Sequence, residues 1–273
     1  MAWLDLRYST KKLTGGHINR VFLLPGNTVV KWFGDKGLSR SSRERFVAEW
    51  WALKYVDLAP ALRWVGNKAL YMSFIDGEKS LDDHVDDMPE ETQQQIFAKA
   101  GELLLCIHKK ICLPAGDYHS YHRNRFVRLL RRACRVLCEV GFNPLEVYRY
   151  LVRSYDREEI QRYGLVLRHG DYWLNNLVGR VNGRRFEIAG VIDWELSGMG
   201  SPYEDFALVQ MSMERAHGEV SESFWQGYTL RPDRALQTHF SVVKIIDWLV
   251  SEEGRDFTSP FYQDKLQLIK QTI

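Results

Sequence analysis

The chain is 273 residues long, which is enough for two lobes with a substantial core but short for three. Its hydrophobic fraction of 45% and charged fraction of 26% are those of an ordinary globular protein and exclude a fibre or a disordered chain. Because the formal net charge is only +2, the overall charge indicates no particular partner.

The first ten residues do not read as a targeting segment. The stretch "MAWLDLRYST" places Asp5 where a signal peptide has an uninterrupted apolar core, and no run of about 18 apolar residues occurs anywhere in the sequence. We therefore expect a cytoplasmic protein with no membrane span.

The first third of the chain alternates short apolar runs with turn residues. The stretch "LTGGHINRVFLLPGNTVVKWF" predicts three strands, with a glycine turn at Gly15 and Gly16 and a tight turn at Pro25-Gly26-Asn27. An amphipathic helix is predicted from about residue 42 to 56 in "SSRERFVAEWWALKYV". A hairpin that turns at Gly66-Asn67 follows. These elements predict a small antiparallel sheet with one main helix.

The pattern becomes helical after residue 78, where we place a lobe boundary. A regular helix is predicted in "PEETQQQIFAKAGELLLCIHKK", and a second helical block runs from about residue 121 to 162. Strands return near residue 167, before a helical end. The fold class predicted is therefore α+β, with lobes at 1–78 and 79–273.

The four cysteines, Cys106, Cys112, Cys134 and Cys138, lie in apolar, helix-like surroundings. We expect free and mostly buried thiols, because a disulfide framework belongs to short secreted chains. Nearby histidines make a zinc site conceivable, but the spacings do not match the compact pairs that zinc uses.

A polar stretch, "LRHGDYWLNNL" at residues 167–177, interrupts the apolar pattern. The hairpin that follows has Asn182-Gly183 as its predicted turn. If this register holds, Asp193 lies opposite Tyr172, beside Asp171 and within reach of Asn176, and one bulge would move it by a residue. Two crowded carboxylates and an amide suit a hard divalent cation, and Mg²⁺ bound in this way needs nucleotide phosphates to complete its shell. The alternative is a solvated turn with capping side chains.

A lysine, Lys31, interrupts the buried-looking strand "VVKWF". A buried ammonium needs an anionic partner, and Glu49 on the following helix is the best candidate, with Glu44 second. The Gly15-Gly16 turn can bring backbone amides close to an anion. Together these are parts of a phosphoryl-transfer site.

Three later motifs, "HGDYWLNN", "VIDWE" and "GSPYEDFAL", occur in this order behind the lysine strand. With "LTGGHINRVF", "VVKW", "AEWWAL" and "YMSFIDG", they make the chain resemble the aminoglycoside phosphotransferase and choline kinase family. The resemblance covers nearly the whole chain and implies a bilobal, protein-kinase-like fold. It also implies a nucleotide-binding lobe at 1–78 and a catalytic and acceptor-binding lobe at 79–273.

The resemblance assigns roles by position. Asp171 would accept or orient the proton of the substrate hydroxyl, and Asn176 with Asp193 would bind Mg²⁺. Lys31, held by Glu49, would contact the α and β phosphates of ATP.

Other positions would support these residues. Backbone groups of Ser73 and Ile75 would pair with the adenine edge, and Gly15 with Gly16 would form the glycine loop. His169 would fix the catalytic loop, and Asp205 would hold it from below. His108 also matches a family position, but we interpret it as a core histidine.

Departures from protein kinases indicate a small acceptor. Gly170 stands where those enzymes have arginine, and only a few residues separate Asp193 from Gly200, so no long activation loop fits. The function predicted is transfer of the γ-phosphoryl group from ATP to a hydroxyl of an aminoglycoside-like antibiotic, an amino alcohol or a sugar-like metabolite. The alternatives are a pseudokinase-type binding module and a protein kinase. The glycine turn leaves ATP or GTP preference open.

Two regions favour acceptors of opposite charge. A group of aromatic and acidic residues near the C-terminus suits a cationic acceptor. Its members are Glu222, Trp225, Tyr228, Asp247, Trp248, Glu252, Glu253 and Asp256. Ordinary core packing of the aromatic residues, with a solvated acidic face, is the simpler interpretation. The arginine-rich stretch 123–135 suits an anionic acceptor, a membrane or nucleic acid, although a packed helix with a charged outer face is simpler. We expect no nucleic-acid partner, and the sequence does not indicate an oligomeric state.

Overall fold

A computed structural model describes residues 11–13, 19–34, 40–80, 85, 88–113, 118–182, 185–217, 221–251 and 257–273. The strands are β1 (Lys11–Lys12), β2 (Arg20–Leu24), β3 (Thr28–Trp32), β4 (Leu62–Val65), β5 (Ala69–Ser73), β6 (Glu78–Ser80), β7 (Cys112–Leu113), β8 (Leu165–Arg168), β9 (Leu177–Asn182), β10 (Arg185–Val191) and β11 (Gly198–Gly200). The helices are α1 (Arg40–Tyr55), α2 (Glu90–Lys110), α3 (Tyr118–Glu139), α4 (Pro144–Arg153), α5 (Arg157–Tyr163), α6 (Tyr203–His217), α7 (Ser221–Tyr228), α8 (Arg234–Ser251) and α9 (Pro260–Thr272).

The N-terminal sheet is antiparallel, with the strand order β1-β2-β3-β5-β4. Gly26 and Asn27 both have positive φ between β2 and β3, as the predicted tight turn requires. A second hairpin joins β4 to β5 around Gly66-Asn67, also as predicted. Because β3 is paired on both sides, Lys31 lies in the middle of the sheet.

The helix predicted for residues 42–56 is present as α1, which begins two residues earlier. Phe33, Leu53, Leu70 and Met72 form the buried cluster between α1 and the sheet. Phe46 of α1 meets Phe33 edge to face, with ring centroids 5.4 Å apart. This packing fixes the helix face that carries Glu49 against β3.

The predicted turn of the β9–β10 hairpin is wrong by one residue, which shifts the cross-strand pairing by two. Asn182 pairs with Arg185 in the ladder instead of standing in the turn, so residues 183 and 184, which lie outside the described residues, connect the strands. Turn composition identified the hairpin but not its register.

The far end of the same hairpin also differs from the prediction. A bulge between Ile188 and Gly190 shifts the register again, and the ladder ends where the buried side chains of Leu177 and Val191 face each other. Asp193 lies beyond that end, so the predicted pairing of Asp193 with Tyr172 is wrong. Burial of apolar side chains sets the register here.

The chain divides into two compact units, each built from several segments. The first contains Met1–Ile107, His169–Gly198 and Glu219–Tyr228, and the second contains His108–Arg168, Met199–Gly218 and Thr229–Ile273. The predicted lobe boundary near residue 78 stays a prediction. None of the described helices is long and apolar enough to cross a membrane.

The arginine-rich stretch of the second unit is the packed helix α3. Its apolar positions at helical spacing, including Phe126, Leu130 and Ala133, are buried, whereas Arg128, Arg131 and Arg132 are exposed. Because α8 packs on α3 and α6, these helices form the core of this unit. The predicted charged outer face is therefore confirmed.

Two buried histidines of the second unit share a hydrogen bond. Ser154 Oγ donates to the Tyr150 carbonyl (2.9 Å), so it accepts from His239 Nδ1 (2.9 Å). Nε2 of His239 is then an acceptor, and His122 Nε2–H donates to it across 3.3 Å. Burial, and after it the neighbouring His122, lowers the pKa of His239 to about 3.

Acid is expected to destabilise the protein through His239. The ordinary histidine pKa is 6.5 and the folded value about 3, so the unfolded chain binds the extra proton between these pH values. The effect on the free energy of unfolding is absent above the unfolded pKa of 6.5. Between 6.5 and about 3, it lowers this free energy by up to about 1.4 kcal/mol for each pH unit. Urea unfolding across this range should show a shallower pH dependence for His239→Gln than for the unmodified protein. Equal pH dependence in the two proteins would contradict the lowered pKa of His239.

All four cysteines are free, but they are exposed, so the prediction of buried thiols is wrong. On α3, Cys134 and Cys138 occupy the outer face, while Ala133, Val136 and Leu137 fill the inner one. An apolar neighbourhood in sequence does not reveal which helix face a cysteine takes.

Thiol titration tests this exposure directly. The four cysteines, Cys106, Cys112, Cys134 and Cys138, are expected to react with a disulfide reagent in the native protein, because access controls their rate. The denatured protein gives the reference count. Fewer fast-reacting thiols in the native protein than after denaturation would contradict the structure.

Candidate active site

The Lys31 ammonium lies at the centre of a buried ion cluster. Its Nζ is 2.6 Å from Glu49 Oε2 and 3.0 Å from Glu195 Oε2, and it also donates to Asp193 Oδ1. The ion pair that the sequence predicts between Lys31 and Glu49 is therefore present. Three carboxylates from two chain segments, α1 and the turn at 193–195, converge on one cation.

The electrostatics keep Lys31 protonated. Burial alone would lower the pKa of Lys31, but the charges of Glu49, Asp193 and Glu195 raise it well above its usual range. Burial raises the pKa of Glu49, with Lys31 opposing this. For Asp193 the attraction of Lys31 outweighs burial and lowers the pKa. The site thus holds a permanent positive charge on a fixed side chain.

Glu195 is a member of the cluster that sequence reasoning missed. Asn19 Nδ2 donates to its Oε2, and Arg45 Nη1 of α1 lies 3.2 Å from its Oε1. The only signal was its position two residues after Asp193. Because Asn19 precedes Glu195 by 176 residues, no local pattern could pair them.

Among the described residues, one group of acidic side chains lies close enough to share a metal ion. Ligand atoms of Glu49, Asp193 and Glu195 all fall within 4.8 Å of one another. The side chain of Asp193 keeps 40% of its surface exposed, whereas the other two are almost fully buried. Asp193 is therefore the carboxylate that an entering cation can reach.

The backbone at Asp193 is in the left-handed region, with φ 65° and ψ 58°. Few residues other than glycine adopt this conformation, and asparagine and aspartate tolerate it best. Next to it, the buried Trp194 donates its Nε1–H to the Val191 carbonyl at 2.7 Å. The tryptophan anchors the turn, and the left-handed residue directs the carboxylate toward Lys31.

A single imidazole connects the catalytic-loop motif to the segment before Asp193. His169 Nδ1 accepts from the Asp171 N–H (3.2 Å), so its Nε2–H donates to the Ile192 carbonyl (3.0 Å). The ring is buried against Trp194, with centroids 4.4 Å apart. His169 therefore has the fixing position that the sequence indicates.

Asn176 holds Asp171 on the other side. Its Nδ2 donates to the Asp171 carbonyl (2.7 Å) and to Asp171 Oδ2 (3.2 Å), and its own carbonyl accepts from the Ile192 N–H (3.0 Å). Hydrogen bonds thus connect Asp171 through Asn176 to the residue before Asp193. The predicted convergence of the Asp171, Asn176 and Asp193 side chains stays a prediction.

The catalytic loop is also attached to helix α2. Tyr172 is buried, and its hydroxyl donates to the Ala100 carbonyl at 2.8 Å. The side chain of Tyr172 points into the core directly after Asp171, which remains partly accessible. Helix α2 therefore supports the loop in addition to the contacts with the hairpin segment.

The residues expected to bind the nucleotide base are partly described. The Ser73 N–H donates to the Ala61 carbonyl (2.9 Å), and Ser73 Oγ accepts from the Ala61 N–H (2.8 Å). Both groups of Ser73 therefore bind the backbone of Ala61. Ile75 is half-buried near Gly190. Gly15 and Gly16, predicted to form the glycine loop, lie outside the described residues.

The sequence model of the phosphotransferase enzyme family, APH, matches residues 10–237. The chain belongs to this family. The phosphotransferase is accordingly an enzyme that acts on small molecules. No curated protein sequence matches it.

Solved structures share the fold of the phosphotransferase at low sequence identity. ADP-bound aminoglycoside phosphotransferase APH(2'')-Ib has a TM-score of 0.69 at 17% identity, covering 97% of this chain and 93% of that one. The streptomycin-ATP complex of APH(2'')-IIa has 0.67 at 18%, covering 95% and 91%. A choline/ethanolamine kinase family protein from Mesorhizobium loti has 0.63 at 16%, covering 98% and 94%. The predicted α+β, protein-kinase-like fold is confirmed.

Two further predicted groups in the phosphotransferase have core positions. His108 Nε2 lies 3.0 Å from Asp205 Oδ2, and both residues are buried, as the core reading of His108 requires. Trp225 and Tyr228 are also buried, which favours core packing over an acceptor wall. The acidic residues 252, 253 and 256 lie outside the described part of the chain.

Proposed function

We propose that the phosphotransferase transfers the γ-phosphoryl group of ATP to a hydroxyl of a small molecule. The observation that supports this best is the fixed Lys31 ammonium, shared by Glu49, Asp193 and Glu195. A buried lysine held by a helix glutamate, with an accessible aspartate beside it, suits the recognition of nucleotide phosphates.

Lys31 is proposed to contact the α and β phosphates. The Glu49 carboxylate lies 2.6 Å from the Lys31 ammonium and is almost fully buried. It therefore holds the ammonium in place and has almost no contact with solvent. Asp193 and Glu195 share the same ammonium before nucleotide binds. Phosphate oxygens entering the site would replace part of this carboxylate pairing, so little reorganisation of Lys31 is needed.

Asp171 is proposed to accept or orient the proton of the acceptor hydroxyl. One of its carboxylate oxygens receives a hydrogen bond from Asn176, and its backbone is fixed at both the N–H and the carbonyl. A carboxylate held in this way presents its other oxygen to a hydroxyl with little loss of rotamer entropy.

The oxygen atoms of Asp193 and Asn176 fit Mg²⁺. Asn176 uses its amide nitrogen for Asp171, which leaves its oxygen as the ligand atom, and Asp193 contributes an accessible carboxylate. Hard oxygen donors of this kind are the ligands that Mg²⁺ prefers. An ion held by these two residues would neutralise charge on the nucleotide phosphates.

Roles are also proposed for the residues around the nucleotide base and for the two lobes. The Ser73 carbonyl and the Ile75 N–H would pair with the adenine edge, and Gly15 with Gly16 would cover the phosphates. Residues 1–78 would form the nucleotide-binding lobe, and residues 79–273 the catalytic and acceptor-binding lobe. Because ATP is a cytoplasmic metabolite, we place the enzyme in the cytoplasm.

The acceptor is proposed to be an aminoglycoside-like antibiotic, an amino alcohol or a sugar-like metabolite. Structural neighbours are described in complexes with streptomycin and gentamicin, and others are named as a macrolide phosphotransferase and a choline/ethanolamine kinase family protein. All of these name small molecules, which favours a small acceptor over a protein.

ADP release tests the proposal. A panel of aminoglycosides, macrolides, amino alcohols, sugars and nucleosides is incubated with Mg²⁺ and either ATP or GTP. We expect one class to raise the release of ADP from ATP, or of GDP from GTP, well above the acceptor-free rate. A Mg²⁺-dependent nucleotide thermal shift without turnover on any acceptor would indicate a binding module instead. Phosphate incorporation into mixed proteins would indicate a protein kinase.

A further inference from the structure

Helices α3 and α4 carry a charge that differs from the rest of the chain. Residues 118–153 contain eight arginines and two glutamates, which gives this segment a formal charge of +6 with histidine neutral. The whole chain has a net charge of +2, so the remainder is negative. A positive region of this size on one pair of consecutive, packed helices is not explained by the proposed reaction.

Most of these arginines do not stabilise the fold through ion pairs. Arg125 pairs with Glu204, whose side chain is 12% exposed, and Arg135 pairs with Glu139. In contrast, within the described parts of the chain, no carboxylate forms an ion pair with the other exposed arginines of the two helices: Arg123, Arg128, Arg131, Arg132, Arg149 and Arg153. Uncompensated charge of one sign attracts an anionic partner.

Helix α4 has apolar residues on two different faces. Val147 and Leu151 are buried in the core, whereas Leu145, Tyr148 and Val152 are 52%, 36% and 50% exposed. The spacing of the exposed three places them on one outward face of the helix. Arg149 lies on the same face, one turn from Leu145 and from Val152. An apolar row beside guanidinium groups is the pattern of a helix that lies on a membrane surface.

We propose that the outward face of α4, together with the exposed arginines of α3, binds the surface of an anionic lipid bilayer. The apolar row enters the boundary between headgroups and acyl chains, and the arginines pair with lipid phosphates. Tyr148 suits this boundary because its ring is apolar and its hydroxyl is polar.

Other occupants fit this surface less well. A second copy of the chain in a symmetric dimer would bring two strongly positive faces together, which repel each other. Nucleic acid would use the arginines but offers no partner for Leu145 and Val152 at half exposure. Of these three occupants, the lipid surface is the one that matches both the charge and the apolar row, so the proposal specifies it.

Vesicle co-sedimentation tests the proposal with the full chain. The protein is expected to sediment with phosphatidylcholine vesicles that contain phosphatidylglycerol, and to stay in solution with phosphatidylcholine alone. Arg131→Gln/Arg132→Gln/Arg149→Gln should weaken binding about 100-fold, at about fivefold for each arginine near an anionic surface. High salt should weaken it in the same direction.

A second variant distinguishes binding that uses the apolar row of α4 from adsorption by charge alone. Leu145→Gln/Val152→Gln leaves the charge unchanged and should weaken binding about tenfold or more, because the apolar row is lost. The matched control removes three exposed lysines elsewhere and should bind like the unmodified protein: Lys99→Gln/Lys109→Gln/Lys270→Gln.

Several outcomes would overturn the proposal. These are equal binding to neutral vesicles, no binding to anionic vesicles, full binding by either surface variant, and equal loss in the lysine control. Stronger binding of the same face to an acidic protein or to RNA than to vesicles would also overturn it. Because vesicle binding requires neither nucleotide nor acceptor, its failure leaves the proposed reaction unaffected.

Discussion

Asp193→Asn is expected to abolish measurable phosphoryl transfer and to leave the protein at least as stable as the unmodified chain. Asparagine tolerates the left-handed backbone at this position, so the turn is preserved. The change removes the one carboxylate of the cluster that an entering cation can reach. The Asn176 amide that remains is a poor ligand for Mg²⁺ on its own.

Stability is expected to hold because the cluster has more acids than bases. Three carboxylates face Lys31 and Arg45, so neutralising one of them balances the charge. Glu49 and Glu195 still satisfy the ammonium. Asp193→Ala should also be inactive but should lose about 1 to 2 kcal/mol of stability, because alanine is strained at positive φ.

Urea unfolding and acceptor-dependent ADP release measure the two effects separately. The matched control is Glu139→Gln, which removes an exposed carboxylate on α3 and should change neither quantity by much. Turnover of Asp193→Asn close to that of the unmodified enzyme would contradict the role of Asp193. A large loss of stability would contradict the charge argument.

Asp171→Asn is expected to lower kcat by roughly 10² to 10⁴-fold, which is the usual contribution of a positioned proton acceptor. The asparagine oxygen can still accept from Asn176 Nδ2, and the backbone hydrogen bonds at position 171 do not depend on its side chain. The loop should therefore keep its geometry, and the loss reports on chemistry.

Nucleotide binding gives the control for this variant. The thermal shift caused by ATP with Mg²⁺ should be similar in Asp171→Asn and in the unmodified enzyme, because Lys31 and Asp193 are intact. Full activity of Asp171→Asn would reject its role as proton acceptor. Loss of the nucleotide-induced shift would instead indicate that Asp171 helps to bind the nucleotide.

Local patterns predicted the elements and the contacts that follow from them. Alternating apolar residues and turn signals gave the N-terminal sheet, and helical spacing gave α1 and the buried face of α3. Lys31 in a buried strand required an anion, and Glu49 on the next helix was the nearest choice. Such inferences succeed because sequence neighbours remain spatial neighbours.

Long-range contacts could not be predicted in the same way. The pairing of Asn19 and Arg45 with Glu195 depends on how the sheet and α1 meet a distant turn. The register of β9 and β10 followed core packing at Leu177 and Val191 and not the turn sequence. The exposed thiols depended on which helix face each cysteine takes.

Both main-chain polar groups of Ile192 form hydrogen bonds, which has a consequence for mutational scanning. Its N–H donates to the Asn176 carbonyl and its carbonyl accepts from His169, so one peptide segment bridges the catalytic loop through main-chain atoms alone. Alanine at position 192 keeps both hydrogen bonds, and among the standard amino acids only proline deletes the donor. A side-chain scan would therefore not detect the main-chain link that this position makes between two functional segments.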